Sequence, residues 1–367
     1  LPVISIIFPL KSKPTNIFRY EEERQLSFEN EISTNKWLYS SIKLRYKQNH
    51  CQRSHDHHCM HHQPLQTVCN YHSYPLTSRQ VLATYGYALT NCPKLGYGRY
   101  SKVCEGIHIR TSRKVAIKII DTRKVTQEYK CKFLPREIHT WKHLRHPNLV
   151  ALFGVFEEAN KVYLPMELAE KGDLLTFVQQ NGAQSESTAQ RWMKQLISAI
   201  YYMHMHSIAH RDLKLENILL FADNSIKIAD FGFCREAQNG DLSRTFCGSK
   251  SYSAPEILLG QEYLPFKADI WSLGVVAFVL VTNRMPYNER VANNSIIVEA
   301  QRNRTYRYSK KLQLSQICQS TIDTMMTFDY HTRPDIQQRL QAMNLPWFHL
   351  PVIPMECKES GISCTTV

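Results

Sequence analysis

Two glycines at the start of a strand-like region are the first residues whose spacing suggests chemistry. Gly96 and Gly98 lie between the apolar residues Leu95 and Val103. Glycine lets the backbone approach a ligand closely, so that N–H groups can face phosphate oxygens. A glycine pair in an ordinary hairpin gives the same pattern, and Ser101 occupies the third small position. Taken alone, the turn therefore favours an ordinary hairpin, although it is also compatible with a phosphate-binding site.

A lysine and a glutamate follow this turn at a spacing that suits nucleotide binding. Lys118 ends the strand-like run 115–118, and Glu137 lies nineteen residues later in the helical stretch 135–143. A lysine buried beside a nucleotide needs a carboxylate partner, which keeps it charged and directs it at the phosphates. The pair adds a candidate phosphate-binding cation to the glycine-rich turn.

Three further motifs make the pattern specific. The chain reads HRDLKLEN at 210–217, DFG at 230–232 and APE at 254–256. Together with the turn and the lysine–glutamate pair, these elements resemble the protein-kinase signature in order and spacing. The resemblance covers about residues 87–350, the whole of a kinase domain.

Finer features narrow the resemblance. Lys214 in the catalytic loop is typical of serine/threonine kinases rather than tyrosine kinases. The chain is similar to the testis-specific serine/threonine kinase family, within the calmodulin-kinase-like group, at AIKIID (116–121), KFLPREI (132–138), TFCGS (245–249) and MPY (285–287). This resemblance implies an enzyme that uses ATP and Mg²⁺ to phosphorylate Ser and Thr hydroxyls of protein substrates.

The resemblance also implies a role for each matching position. Asp212 is expected to accept the proton of the substrate hydroxyl, and Lys214 to steady the transferring phosphate. Asp230 and Asn217 are expected to hold Mg²⁺ through hard oxygen ligands, and Lys118 to contact the α- and β-phosphates. The implied catalytic residues are therefore Asp212, Lys214 and Lys118.

The positions implied to surround ATP come from both halves of the chain. Met166 matches the gatekeeper, residues 167–169 match the hinge that pairs with adenine, and Asp173 matches the acid that faces the ribose. The full set is Leu95, Gly96, Gly98, Val103, Ala116, Lys118, Glu137, Met166, Glu167, Leu168, Ala169, Asp173, Asn217 and Asp230.

Thr245 matches the activation-loop phosphosite of the family, because it lies eleven residues before the glutamate of APE. Arg211 and Arg235 are expected to bind its phosphate through charge-assisted hydrogen bonds, after an upstream kinase has added it. Without the phosphate, the two arginines should repel each other and leave the segment mobile. An alternative is that Thr245 is an exposed loop hydroxyl and that Ser243 or Ser251 is modified instead.

Acidic residues near the implied peptide site bear on substrate choice. Asp173 and Glu216 match positions that face residues upstream of the phosphoacceptor, and two carboxylates there would favour substrate Arg or Lys. The alternative is that Asp173 serves only the ribose and Glu216 only solvent.

Two other matches are structural. Asp269 resembles the buried aspartate that binds the catalytic-loop backbone, although it also suits a helix N-cap. Arg333 matches the arginine that pairs with Glu256.

Apolar periodicity indicates the elements that must position these residues. Short strand-like runs with turns fill residues 95–168, broken by one helical stretch, and helical spacing dominates after Gly172. We therefore predict an α+β, bilobal protein-kinase fold, with a small antiparallel-sheet N-lobe that holds one helix and a larger helical C-lobe. The predicted domain spans 86–350, with the N-lobe at about 86–167 and the C-lobe at about 168–350.

Composition limits the remaining functions. With 43% hydrophobic residues the chain can bury a large core, which excludes global disorder. Its net charge of +13 is scattered, so we predict no nucleic-acid partner. Residues 1–10 are too short to cross a membrane, and residues 270–281 suit a buried helix, so we predict no membrane contact. Eleven irregularly spaced cysteines indicate free thiols and a cytoplasmic location.

The first 85 residues differ from the rest because they contain no glycine and little apolar periodicity. We interpret 1–85 as an extension without a core of its own, either disordered or mis-predicted, and 351–367 as a short tail. Histidines and cysteines cluster at 50–72, but their spacing matches no structural zinc template. Two alternatives stay open: a zinc-dependent interaction module in the extension, and a catalytically inactive pseudokinase scaffold.

Overall fold

The computed structural model describes residues 76–91, 94–98, 100–238, 240–245, 247–288, 290–291, 293–336 and 346–349. The predicted tail 351–367 and the histidine- and cysteine-rich cluster of the zinc hypothesis lie outside these residues. So does the predicted extension 1–85, apart from its last ten residues.

The first half of the described chain forms an antiparallel sheet. Its strands are β1 (Tyr87–Leu89), β2 (Gly96–Tyr97), β3 (Ser101–His108), β4 (Arg113–Asp121), β5 (Phe156–Glu158) and β6 (Lys161–Met166). They lie in the order β1-β3-β4-β6-β5, and β2 pairs with β3 to close the glycine-rich hairpin. This sheet is the core of the small lobe.

The alternation of β4 decides which way Lys118 faces. Val115, Ile117 and Ile119 are buried in one cluster of the small lobe. The intervening Ala116 and Ile120 belong to the other, larger core cluster. Because successive strand residues point to opposite faces, Lys118 lies on the face of Ala116 and Ile120. The lysine is thereby directed toward the rest of the site rather than into the outer cluster.

A short helix, α1 (Ser78–Thr84), covers the outer face of the sheet. Thr77 caps it, because the side-chain oxygen of Thr77 accepts the backbone N–H of Gln80. Val81 and Leu82 are fully buried in the cluster around Val115 and Tyr163. The end of the predicted extension is therefore part of the folded small lobe, and residues 78–85 do contribute to a core.

The one helix predicted in the small lobe is α2 (Leu134–His143), which follows a π-helical turn at Tyr129–Phe133. Its buried face carries Leu134, Glu137 and Trp141 at helical spacing. The Trp141 indole N–H donates to the backbone oxygen of Val150 at 2.7 Å, which fixes the helix against the following loop. Glu137 is thus a buried carboxylate on a face whose other buried side chains are uncharged.

The second half of the described chain forms the large lobe. Its helices are α3 (Leu174–Asn181), α4 (Glu186–Met205), α5 (Pro255–Leu258), α6 (Pro265–Thr282), α7 (Asn294–Arg302), α8 (Gln316–Met325) and α9 (Pro346–His349). Short 3₁₀ helices occur at Leu215–Asn217, Lys250–Tyr252 and Lys310–Leu312. The bilobal α+β fold predicted from the resemblance is confirmed.

The helix α6 is mostly apolar because it runs through the large-lobe core, and Asp269 is its buried acidic residue. It is long and apolar enough to cross a membrane, but 89% of it is buried inside the folded chain. Trp271 on α6 and Trp347 on α9 are both buried, in the same cluster as Leu196 and Ile200 of α4. The buried helix predicted for 270–281 is therefore a core element.

Two small strand pairs present the loops of the site. β7 (Ile208–Ala209) pairs with β10 (Arg235–Glu236), and β8 (Ile218–Leu220) pairs with β9 (Ile226–Ile228), both antiparallel. The HRDLKLEN segment runs from the end of β7 into β8, and DFG follows β9. These pairs hold the two motifs side by side, since the backbone N–H of Ala229 donates to the oxygen of Asn217 at 2.8 Å.

Candidate functional site

Lys118 of β4 lies between two carboxylates, Glu137 of α2 and Asp230 of the DFG motif after β9. Its Nζ donates to Glu137 Oε1 at 2.8 Å and lies 3.7 Å from Asp230 Oδ1. Burial disfavours the charge of Lys118, but the two carboxylates outweigh it and raise the pKa of the ammonium above its ordinary value. Lys118 is therefore a fixed cation, as a phosphate-binding lysine must be.

The two carboxylates differ in exposure. The Glu137 side chain is 2% exposed, whereas the Asp230 side chain is 44% exposed. Burial alone would raise the pKa of Asp230, but Lys118 and His210 hold it below its ordinary value. The buried Glu137 carboxylate thus contacts Lys118 from inside the small lobe. The Asp230 carboxylate is ionised and partly exposed in the cleft.

Sequence reasoning missed Tyr129 as a further partner of Glu137. Its hydroxyl donates to Glu137 Oε2 at 3.3 Å, from the π-helical turn before α2. Burial, followed by the Glu137 carboxylate, raises the pKa of Tyr129, so the phenol stays protonated and remains a donor. No sequence signal indicated this contact, because it depends on a π-turn that brings position 129 over the helix.

The catalytic-loop motif gathers Asp212, Lys214 and Asn217 around one carboxylate. Lys214 Nζ lies 2.9 Å from Asp212 Oδ2, and the Asn217 side-chain amide donates to Asp212 Oδ2 at 3.1 Å and to its backbone oxygen at 2.8 Å. The 3₁₀ turn Leu215–Asn217 brings Asn217 back toward Asp212. The three implied residues are therefore in direct contact.

Ser249 supplies a hydroxyl at this carboxylate. Its Oγ donates to Asp212 Oδ1 at 3.2 Å and accepts from Lys214 Nζ at 2.9 Å. The segment approaches so closely because Gly248 has a φ of +95°, and a Cβ there would lie 2.7 Å from the backbone oxygen of Arg211. A hydroxyl can thus reach both Asp212 and Lys214 at once, which is the geometry that phosphorylation of Ser or Thr requires.

The loop that carries Asp212 is held from beneath by Asp269. Asp269 accepts the backbone N–H groups of His210 and Arg211 at 2.9 and 2.8 Å, and it contacts His204 Nε2 at 2.9 Å. Burial opposes ionisation, yet these partners, chiefly His204, lower the pKa of Asp269. Asp269 lies inside α6, whose N-cap is Leu264, so the N-cap interpretation of Asp269 is wrong.

The residues implied to surround adenine and ribose lie at the junction of the lobes. Met166 and Ala116 are buried and paired across β6 and β4. Asp173 caps α3, because its two carboxylate oxygens accept the backbone N–H and the hydroxyl of Thr176, both at 2.9 Å. Leu168 packs partly buried against the large core.

The side chain of Glu167, which sequence reasoning left unused, ties the hinge to the large lobe. Both of its oxygens accept Lys227 Nζ of β9 at 2.9 Å, and Oε2 accepts the backbone N–H of Ala151 at 3.0 Å. β9 leads directly to Asp230, so the pair links the hinge with the strand that positions the candidate metal ligand.

Asp230 and Asn217 are the residues that could hold a metal ion. Both offer oxygen ligands, and the Asn217 side-chain nitrogen is turned to Asp212, which leaves the amide oxygen as its ligand atom. Within the described residues, no group of three or more His, Cys, Asp and Glu side chains forms a metal site. Two oxygen ligands match the way that Mg²⁺ binds in proteins, since it keeps waters and phosphate oxygens in its remaining positions.

The activation segment between Asp230 and Glu256 differs from expectation at its centre. Arg211 Nη1 and Arg235 Nη1 donate to Ser243 Oγ, at 3.4 and 2.9 Å, instead of converging on Thr245. Thr245 is exposed, and its backbone oxygen accepts the hydroxyl of Tyr263 at 2.9 Å. The expectation of two mutually repelling arginines in the unphosphorylated chain overlooked a hydroxyl two residues before Thr245.

The end of the segment is fixed by a buried ion pair. Arg333 donates from Nη1 and Nη2 to the two carboxylate oxygens of Glu256, at 2.7 and 3.0 Å. The pairing of these two residues matches the contact that the resemblance implied. A bidentate pair of this kind holds the APE motif to the base of the large lobe.

Comparisons with known proteins agree with this geometry. The chain matches the protein kinase domain over residues 89–348. It is 40% identical over 262 residues to testis-specific serine/threonine-protein kinase 1 of Mus musculus, a match that spans 69% of this chain and 70% of the relative. It is 37% identical over 276 residues to testis-specific serine/threonine-protein kinase 4 of Homo sapiens, spanning 71% and 80%.

A third relative is similar to about the same extent. Testis-specific serine/threonine-protein kinase 2 of Mus musculus is 36% identical over 266 residues, a match that spans 70% of this chain and 72% of the relative.

Proposed function

The chain belongs to the protein kinase family as a serine/threonine kinase similar to the testis-specific kinases, and we propose that it is catalytically active. The proposal is that it transfers the γ-phosphate of ATP to Ser and Thr hydroxyls of proteins. One observation carries it: the lysine, glutamate, two aspartates and asparagine that phosphoryl transfer needs are all present, with Lys118 in contact with Glu137 and Asp230, and Asn217 in contact with Asp212.

Each group has a defined task in this reaction. Lys118, kept charged by Glu137, binds the α- and β-phosphates and orients the γ-phosphate in line with the acceptor. Asp212 accepts the proton as the substrate oxygen bonds to the γ-phosphorus and the bond to the β-phosphate oxygen breaks. Lys214, which already contacts a hydroxyl at this position, stabilises the charge on the transferring group.

Mg²⁺ is the metal that suits the oxygen ligands of Asp230 and Asn217. When bound, it neutralises charge on the phosphates. In the chain itself, Asp230 lies 3.7 Å from Lys118, and the Asn217 amide is fixed by its hydrogen bond to the Asp212 backbone oxygen, so these two side chains would hold the ion.

Regulation and substrate choice extend the proposal. We place the activating phosphosite at Thr245, which is exposed to an upstream kinase. Glu216 is exposed beside the catalytic loop, and with Asp173 it would favour substrates with Arg or Lys upstream of the acceptor. We also place the protein in the cytoplasm, because Cys104, Cys131, Cys234, Cys247 and Cys318 of the described chain are free thiols.

A peptide-library phosphorylation assay tests activity against the pseudokinase alternative. We expect the purified protein to transfer phosphate from Mg²⁺–ATP to Ser or Thr peptides, and Asp212→Asn to bind nucleotide without comparable transfer. A wild-type protein that binds Mg²⁺–ATP but transfers nothing, with Thr245 phosphorylated or not, would establish the scaffold function instead.

A further inference from the structure

Ser243 occupies the point where the activation segment meets the catalytic loop. It is fully buried, although its side chain is polar. Its Oγ accepts from Arg235 Nη1 at 2.9 Å, from Arg211 Nη1 at 3.4 Å and from the backbone N–H of Thr245 at 3.4 Å. One neutral oxygen therefore gathers donors from the catalytic loop, from β10 and from the segment itself.

The backbone of Ser243 is also anchored. Its N–H donates to the oxygen of Tyr263 at 2.8 Å, and its oxygen accepts the N–H of Tyr263 at 3.1 Å. Tyr263 is itself fully buried, and its hydroxyl donates to the backbone oxygen of Thr245. The backbone of the segment is thus hydrogen-bonded to the chain after α5. The Ser243 hydroxyl in turn accepts hydrogen bonds from Arg211 and Arg235.

Two neighbouring guanidinium groups repel each other unless an acceptor lies between them. A hydroxyl oxygen has two lone pairs and carries no charge, so it can accept from both arginines without itself being a modified residue. Arg211 also donates from Nε to the backbone oxygen of Phe233 at 2.8 Å, and its contact with Ser243 joins it to the outer part of the segment.

We propose that Ser243 is a positioning residue that orders the activation segment in the unphosphorylated chain and thereby supports activity that does not require phosphate on Thr245. The proposal rests on the proposed kinase function. A phosphate on Thr245 brings about −1.5 to −2 charge to the same two arginines. It would replace the hydroxyl as their acceptor, so Ser243 matters before phosphorylation and much less after it.

The test compares Ser243→Ala and Ser243→Thr with wild type in both phosphorylation states of Thr245, each verified by mass spectrometry. For the dephosphorylated protein we expect Ser243→Ala to lower kcat/KM for a peptide about tenfold, because hydrogen bonds to charged groups are lost. The KM for ATP should stay unchanged, and Ser243→Thr should restore most of the activity. After phosphorylation, Ser243→Ala should differ from wild type by less than about twofold.

A double variant shows whether Ser243 acts through the arginines. In an Arg235→Met background, Ser243→Ala should have a much smaller additional effect, since the two residues share one contact. Full additivity, or an equal effect of Ser243→Ala in both phosphorylation states, would overturn the proposal. Ser320→Ala, an exposed serine on α8, is the matched control and should be neutral.

Hydrogen exchange gives a readout that is independent of phosphate transfer. Ser243→Ala should speed amide exchange at residues 241–245 of the dephosphorylated protein at least about tenfold, and Ser243→Thr should not. Unchanged protection would refute the inference. A wild-type protein that is inactive in both states would refute the proposed function, while the exchange measurement would still decide the role of Ser243.

Discussion

The charged side chains of the cleft and those of the large-lobe core are of the same kinds, but they are packed differently. In the core, the side chains of Arg333 and Glu256 are 0% and 3% exposed and satisfy each other. In the cleft, each buried carboxylate contacts a lysine that still reaches solvent, such as Lys214, which is 21% exposed. The charged pair in the core is closed to solvent and serves stability, whereas the lysines in the cleft remain partly exposed and can contact a ligand. Substitutions should therefore separate into those that cost activity and those that cost stability.

The largest expected effect is on turnover, in the cleft. Asp212→Asn removes the proton acceptor but preserves the shape of the side chain, so kcat should fall by about 10²–10⁴. Nucleotide affinity, measured by titration with Mg²⁺–ATP, should stay within about twofold of wild type. A residual kcat within tenfold of wild type would mean that Asp212 does not act as the base.

The next effect is on stability, in the core. Arg333→Met leaves Glu256 buried without its partner, and the free energy of unfolding should fall by about 3–5 kcal/mol, measured by urea denaturation. The matched control is Lys132→Met, which breaks an exposed pair with Glu128 and should cost at most about 0.5 kcal/mol. Equal costs for the two variants would remove the distinction between buried and exposed pairs.

The helix α1 tests whether the small lobe has its own apolar core. Leu82→Ala should lower the free energy of unfolding by about 2–5 kcal/mol, because Leu82 is fully buried against the sheet. Leu76→Ala, at a residue that is 47% exposed, should cost less than about 0.5 kcal/mol. A chain that starts at Leu76 should fold, and one that starts at Leu82 should lose solubility, since the second start removes half of α1.

The smallest expected effect is on peptide preference, at an exposed glutamate beside the catalytic loop. Glu216→Gln should reduce the preference for Arg upstream of the phosphoacceptor by roughly two- to fivefold, measured on paired peptides with Arg or Ala at those positions. The control Glu157→Gln, on the exposed end of β5, should leave the preference unchanged. A peptide array that shows no preference in the wild type would rule out this role for Glu216.

The sequence motifs predicted which residues form the candidate site better than they predicted the contacts between those residues. The strand-like run that ends at Lys118 and the helical stretch that holds Glu137 were predicted from the sequence, because each depends on a local pattern of residues. The hydrogen bonds from Arg211 and Arg235 to Ser243 could not be predicted from the sequence, because they depend on how a loop folds back across the large lobe. The same holds for Tyr129, which a π-turn brings to Glu137, and for Val81 of α1, whose burial needs the sheet to be in place.

The same substitution at two buried aspartates, one in the cleft and one in the large-lobe core, tests most directly whether charged groups in the two regions serve different purposes. Asp212 and Asp269 are 4% and 1% exposed. In thermal unfolding at pH 7, Asp212→Asn should shift Tm by less than about 2 °C, whereas Asp269→Asn should lower it by at least about 5 °C. The pKa of Asp269 is lowered in the folded chain, so its contribution is present above about pH 4 and is lost as the pH falls through the folded value. The gap between wild type and Asp269→Asn should therefore narrow in acid. Equal Tm shifts for the two variants at pH 7 would contradict the separation of catalytic from structural charge.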